Sequence, residues 1–194
     1  MSTVINHIED LDPINGLYTY ADYLLWKFKE RVEIIKGKLF KMSAPAIEHQ
    51  EISFRLSGLF FIHFRHHTCK VFTAPFDVVF KGLNGKEDTV VQPDICVVCD
   101  PEKLSDGKRC QGAPDLIVEI LSPSTAKKDL NNKFRLYEEA GVSEYWIVRP
   151  EEQSVTLYVL ENGNYRGLTP ITEGDTVQSL KFPTLRIHTK DIFN

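Results

Sequence analysis

Val90-Val91-Gln92-Pro93-Asp94-Ile95-Cys96-Val97-Val98 and, a little further on, Leu116-Ile117-Val118-Glu119-Ile120-Leu121 are the stretches on which the fold turns. Both are rich in Val and Ile with little polar alternation, the pattern of strands buried on both faces. Each carries one acid in apolar surroundings. A buried carboxylate without a partner is costly and normally requires a cation or several hydrogen bonds. The strand-like run Lys70 to Phe80 holds a third acid, Asp77, between Phe76 and Val78. For any one of the three, bonding to backbone amides or to an arginine explains the acid as well as function does; three together favour function.

Spacing decides which acids can share an ion. Asp115 and Glu119 share one strand face but stand about 13 Å apart at roughly 3.3 Å per residue, too far for a common cation. Asp94 and Glu119 lie on successive strands expected to be neighbours about 5 Å apart, so their carboxylates can converge. Such a pair suits Mg2+ or Mn2+, which favour carboxylate, carbonyl and water ligands and can activate a water beside a phosphate. Lys133 stands four residues after Asp129, on one helix face with it, and reads equally as a surface ion pair or as a cation turned toward the two acids.

Outward from these strands the pattern predicts a mixed sheet between helices, an α/β or α+β single domain over 17–194, with 1–16 a flexible N-terminal segment. Thr19 is placed to cap a helix running to about Phe28. Val32 to Ile35 and Lys38 to Met42 flank Lys36-Gly37 as an N-terminal hairpin. From Glu48 to His67, Ile52, Leu56, Leu59 and Phe60 recur at helical spacing, with His49 and His63 on the same stripe. Ser122-Pro123-Ser124-Thr125 ends the Glu119 strand. A second helix then runs to about Ala140, with Leu130, Phe134 and Tyr137 inward and Gly141 as its left-handed cap. Glu144 to Val148 is a further strand, and Val155 to Leu160 with Tyr165 to Leu168 form a C-terminal hairpin about Asn162-Gly163.

Composition narrows the class. At 194 residues, 42% hydrophobic and 26% charged, the chain suits one ordinary globular domain. No apolar run approaches the roughly 20 residues of a membrane span, and the acidic start lacks the features of a secretory signal, so the cytoplasm is the expected compartment. The cysteines Cys69, Cys96, Cys99 and Cys110 are expected to be reduced core residues there. Cys96 and Cys99 read as CxxC, but residues three apart in a strand point to opposite faces, which disfavours zinc. With 23 basic against 27 acidic residues the net charge is -4, so contact with nucleic acid would have to come from a local basic patch.

Taken in order, Pro93-Asp94, Val118-Glu119-Ile120-Leu121-Ser122-Pro123-Ser124, Asp129 with Lys133 and Tyr137, and Gly141-Val142-Ser143-Glu144-Tyr145-Trp146-Ile147-Val148 resemble the Uma-two family of restriction-endonuclease-like proteins. The likeness extends from Tyr18 through Glu33-Ile34-Ile35-Lys36-Gly37 and His49-Gln50 to Phe182-Pro183-Thr184-Leu185. It implies the PD-(D/E)XK nuclease fold, a central sheet flanked by helices. It also implies phosphodiester hydrolysis of nucleic acid, DNA first, with Mg2+ or Mn2+, and often a homodimer. The family's acids carry over onto Asp94 and Glu119 as catalytic and metal-binding residues. One position departs: Leu121 stands where the superfamily pattern has lysine, so Lys133 would act as a catalytic lysine relocated to the following helix. Glu33 and His49 match further characteristic positions and, with Asp77 and Asp129, form a second tier of pocket candidates. Two readings stay open, an active nuclease and a nuclease-fold module that binds nucleic acid or a protein without cutting; no GxSxG or phosphate-loop element supports another chemistry.

Overall fold

The computed structural model describes residues 4–122 and 126–194, with side chains for all of these except 126–130. A short helix, α1 (Tyr20–Tyr23), is held at its start by Asp22 Oδ2, which accepts from the Thr19 backbone N–H and hydroxyl at 2.8 and 2.7 Å. The helix expected to reach Phe28 ends sooner, and Trp26 and Phe28 stack beyond it. Strands β1 (Val32–Ile35) and β2 (Lys38–Lys41) form the expected hairpin; Lys36 and Gly37 have φ of 50° and 79°, the left-handed values its turn requires. Helix α2 (Ile47–Phe64) follows, burying Ile52, Leu56, Phe60 and Phe64.

Both long strand-like runs around the acids divide. Lys70 to Phe80 becomes β3 (Lys70–Thr73) and β4 (Val78–Phe80); Val90 to Val98 becomes the end of β5 (Thr89–Val91) and β6 (Ile95–Val98). A proline interrupts each, Pro75 in the first and Pro93 in the second, and proline cannot donate to a ladder. The two halves of each run enter different sheets. Next come β7 (Cys110–Gln111), β8 (Leu116–Ile120), α3 (Ala126–Ala140), β9 (Glu144–Arg149), β10 (Ser154–Glu161) and β11 (Asn164–Gly167). A closing ribbon, β12 (Thr176–Gln178) with β13 (Arg186–His188), and α4 (Thr189–Phe193) were not foreseen from the sequence pattern.

One sheet has the order β2-β1-β5-β4-β7 and the other β11-β10-β9-β8-β6-β3. The second is mixed: β8 pairs antiparallel with β6 and parallel with β9, α3 supplying the crossover. Alternation sets its two faces. Ile95, Val97, Leu116, Val118, Ile120, Trp146 and Val148 pack with α2 and the C-terminal ribbon. Cys96, Val98, Ile117, Tyr145 and Ile147 pack with Leu136 and Tyr137 of α3 and with Val78 and Val91 of the first sheet. The fold is thus the α+β arrangement anticipated, a mixed sheet between helices. Gly141, at φ 84°, caps α3 as expected. Among the described residues no helix is long and apolar enough to cross a membrane.

One local expectation changes. Cys69 and Cys99 form a disulfide rather than staying reduced, because they stand one step outside the Lys70–Val98 pair of β3 and β6 and so face each other. Cys96 and Cys110 are free and buried. Residues 4–16 lie against the hairpin: Ile8 and Leu11 are buried with Val32, and Lys38 Nζ donates to the carbonyls of Ile14 and Gly16. Leu130, placed on the inward stripe of α3, lies outside the described side chains.

Candidate active site

Asp94 stands one residue beyond the Ile95–Val118 pair, which extends the β6–β8 register to set it opposite Glu119. Residues opposite each other across an antiparallel pair turn to the same face, here the face covered by α3. Asp94 Oδ2 accepts from the Ile120 backbone N–H at 2.8 Å and lies 3.2 Å from His49 Nε2. Glu119 Oε1 accepts from the Tyr137 hydroxyl at 2.6 Å and from Lys133 Nζ at 3.0 Å. Both acids line one cleft of about 180 Å³, together with Glu33, His49, Gln92, Ser122 and Lys133. With roughly 30 Å³ per water, this is room for a few waters or one phosphodiester group.

Glu33 arrives from β1 in the other sheet. Its Oε1 accepts from the Gln92 backbone N–H at 3.0 Å and lies 3.0 Å from Lys133 Nζ. The ammonium therefore bridges two carboxylates from different sheets, and its side chain is only 12% exposed. This is no surface pair. The crossing from β5 to β6 explains how the sheets share a site: Gln92 bonds Glu33 on one side and, two residues later, Asp94 turns toward Glu119 on the other.

The electrostatics follow from burial. Burial pushes the Glu119 carboxyl up to about 7; Lys133 and the Tyr137 bond pull it down, while the negative charges of Asp94 and Glu33 reinforce the rise. Burial opposes the charge on Lys133 too, but Glu119 and Glu33 outweigh it and hold the ammonium well above its ordinary range. For His49, burial favours the neutral ring, and the bond to Asp94 with the charges of Asp94 and Glu119 reverses this to a raised pKa. His49 Nδ1 is buried with no hydrogen-bond partner among the described residues.

The other sequence candidates fare differently. Asp77 does not line the cleft; it sits behind it, accepting from Gln92 Nε2 at 2.9 Å, because Pro75 moves its strand into the first sheet. The Asp129 side chain, and with it the suggested pair to Lys133, lies outside the described residues. His63 and His67 at the far end of α2 pack against Phe64, and His67 Nδ1 accepts from the Cys69 N–H at 3.1 Å. Four participants lie outside the residues the sequence pattern singles out for the site. Gln92 ties Glu33 to Asp77 and also accepts from Arg31 Nη2 at 2.7 Å, and its only signal was a polar residue beside Pro93 in an apolar run. Tyr137 was read as core, though its place four residues after Lys133 puts both on one helix face. Arg31 and Lys41 line the rim and supply the local positive charge that the overall balance lacks.

The divalent ion implied by the resemblance can be tested against the donors. Asp94 and Glu119 offer hard carboxylate oxygens in one cleft. Among the described residues no three His, Cys, Asp or Glu side chains gather as a full cage. Two carboxylates with the remaining positions left to water and phosphate are the usual demand of Mg2+. The donor set fits.

The family described as "Uma2: Putative restriction endonuclease" matches residues 20–190. An uncharacterised protein of Synechocystis sp., slr1290, is 34% identical over 142 residues, 71% of this chain and 71% of that one. A second from the same organism, sll1609, is 26% identical over 136 residues, 68% of this chain and 75% of its own. The crystal structure of a "putative nuclease belonging to DUF820" from Anabaena variabilis superposes with a TM-score of 0.71 at 21% identity, covering 91% of this chain and 97% of that one. At that identity the superposition shows a shared fold, and the family match supports a nuclease-like function. With the family matched from Tyr20 to Lys190 and the fold shared, the chain belongs to the Uma2 family of restriction-endonuclease-like proteins.

Proposed function

We propose that the protein is a divalent-metal-dependent nuclease that hydrolyses phosphodiester bonds of DNA, with Asp94, Glu119 and Lys133 as its catalytic residues. The observation that carries this reading is the ammonium of Lys133, 3.0 Å from Glu119 and aimed from α3 into the cleft that also holds Asp94. A cation thus stands beside the two acids although Leu121 occupies the position two residues after Glu119. Mg2+ or Mn2+ held by Asp94 and Glu119 would supply Lewis acidity toward a phosphoryl oxygen and a more acidic bound water.

The chain's own groups do the rest. The Ile120 N–H and His49 fix Asp94, and the Tyr137 hydroxyl fixes Glu119, so neither carboxylate spends entropy on finding its orientation. Lys133 is a preorganised positive charge where negative charge develops on the phosphate; Glu33, bonded to it from the other sheet, holds its Nζ in place. Arg31 and Lys41 at the rim are suited to neighbouring phosphates of the strand.

Binding without cleavage is the second reading, favoured by Leu121 standing two residues after Glu119, where the superfamily pattern has lysine. Incubating the chain with linear, circular and single-stranded DNA, and with RNA, with and without Mg2+ or Mn2+, tests both. Cleavage that requires the ion and disappears in Asp94→Asn supports the nuclease. Binding with no cleavage of any substrate under either ion rejects it in favour of the module.

A further inference from the structure

Helix α2 is apolar on two opposite sides. Ile52, Leu56, Phe60 and Phe64 face the core, whereas Ile47, Phe54, Phe61 and Ile62 are 81, 82, 65 and 62% exposed. Ile47, Phe54 and Phe61 recur every seven residues, and Gly58 and Ile62 fall on the same stripe at helical spacing. Exposing single apolar residues is ordinary, but four large ones aligned along one helix mark an interaction surface. Gly58 sits at its centre with no neighbour within 4 Å of where a Cβ would lie, so the helix backbone is bare there and open to close approach.

Charge identifies the occupant. Glu51 and Arg65, both exposed, lie on the same stripe seven residues to either side of Gly58. If a second α2 lies antiparallel with a two-fold axis at Gly58, Glu51 of each copy meets Arg65 of the other. Phe54 then meets Ile62. A two-fold interface must be self-complementary in this way, and a parallel pairing would set Glu51 against Glu51. We infer that the Gly58-centred stripe of α2 is the interface through which two copies of this chain form an antiparallel homodimer. His49 is on the core side of the same helix, bonded to Asp94, so both clefts stay open.

Sedimentation equilibrium on the full chain, with circular dichroism as the check on folding, tests this. The wild type should dimerise at about micromolar concentration, as a modest interface allows. Phe54→Glu and Phe61→Glu should each raise the dissociation constant at least about a hundredfold with helicity unchanged, both positions being exposed. Glu51→Arg and Arg65→Glu should each weaken the dimer, and the double exchange should restore it, an outcome tied to the antiparallel register. Gly58→Cys should form an intermolecular disulfide across the axis under mild oxidation. A monomeric wild type at every concentration would overturn the inference, as would a dimer indifferent to Phe54→Glu. So would a monomer that uses the stripe to bind lipid vesicles or a DNA duplex.

Discussion

Two glutamates in neighbouring strands of one sheet, Glu119 on β8 and Glu144 on β9, are both buried among apolar side chains and serve opposite ends. Glu144, 0% exposed, points to the face covered by α2 and the C-terminal ribbon. It accepts from the indole of Trp146 and from the backbone N–H groups of Leu180 and Lys181 at 2.9 and 2.7 Å. Glu119 points to the other face, into a cleft, and its bonded partners are a lysine and a tyrosine. Burial alone does not separate structure from function. The kind of donor does: neutral N–H groups fixed in the backbone and an indole secure Glu144 as a tie between β9 and the ribbon, whereas titratable groups around Glu119 leave its charge open to change.

The comparison is most exposed to loss of activity. Asp94→Asn, beside Glu119, should reduce DNA cleavage by about 10³, some 4 kcal/mol of transition-state stabilisation, with unfolding little altered; cleavage within threefold of wild type would put the chemistry elsewhere. The next largest effect should come from Glu144→Ala, at about 3 kcal/mol of stability in urea unfolding, because an indole and two amide N–H groups lose a buried acceptor. Residual cleavage per folded molecule should stay near wild type. A variant that folds normally but fails to cut would erase the distinction between the two acids.

Glu119 should show itself in the pH dependence of stability. Its carboxyl, raised from 4.5 to about 7, binds a proton more tightly folded than unfolded, so stability falls as pH rises through that window and the penalty is complete above it. Without divalent ions the wild type should therefore lose about 2 kcal/mol more than Glu119→Gln between pH 5 and pH 8. Parallel pH profiles would show that Glu119 is satisfied as fully as Glu144. Lys133→Ala should lower turnover at least tenfold, about 1.4 kcal/mol, measured per folded molecule because two buried carboxylates lose their cation. The smallest effect belongs to Asp77→Asn: held behind the cleft by Gln92, it should change turnover by less than about threefold, under 1 kcal/mol. A loss as large as that of Lys133→Ala would move Asp77 into the working site.

The central strands, both hairpins, the long helix and the α3 cap were legible because periodicity and turn chemistry are local. So was the facing of Asp94 and Glu119, which needs only successive strands of a known face. Sheet membership was not legible: an unbroken apolar run looks the same whether it serves one sheet or two, and the effect of Pro93 becomes visible only in three dimensions. The same limit hid the bridge from Lys133 to Glu33, whose partners are 100 residues apart. It also hid the Cys69–Cys99 bond, set by the β3–β6 register and not by spacing.

The passage from β5 to β6 through Gln92, Pro93 and Asp94 also bears on how the proposed activity would be acquired during folding. Either sheet can complete its own ladders alone, yet Glu33 belongs to one and Glu119 to the other, and the ammonium of Lys133 meets both only when the two have docked. Chains whose secondary structure is complete but whose sheets have not closed on each other should be inert. In refolding, cleavage should therefore return later than the far-ultraviolet signal, making turnover a clock for the last step of assembly.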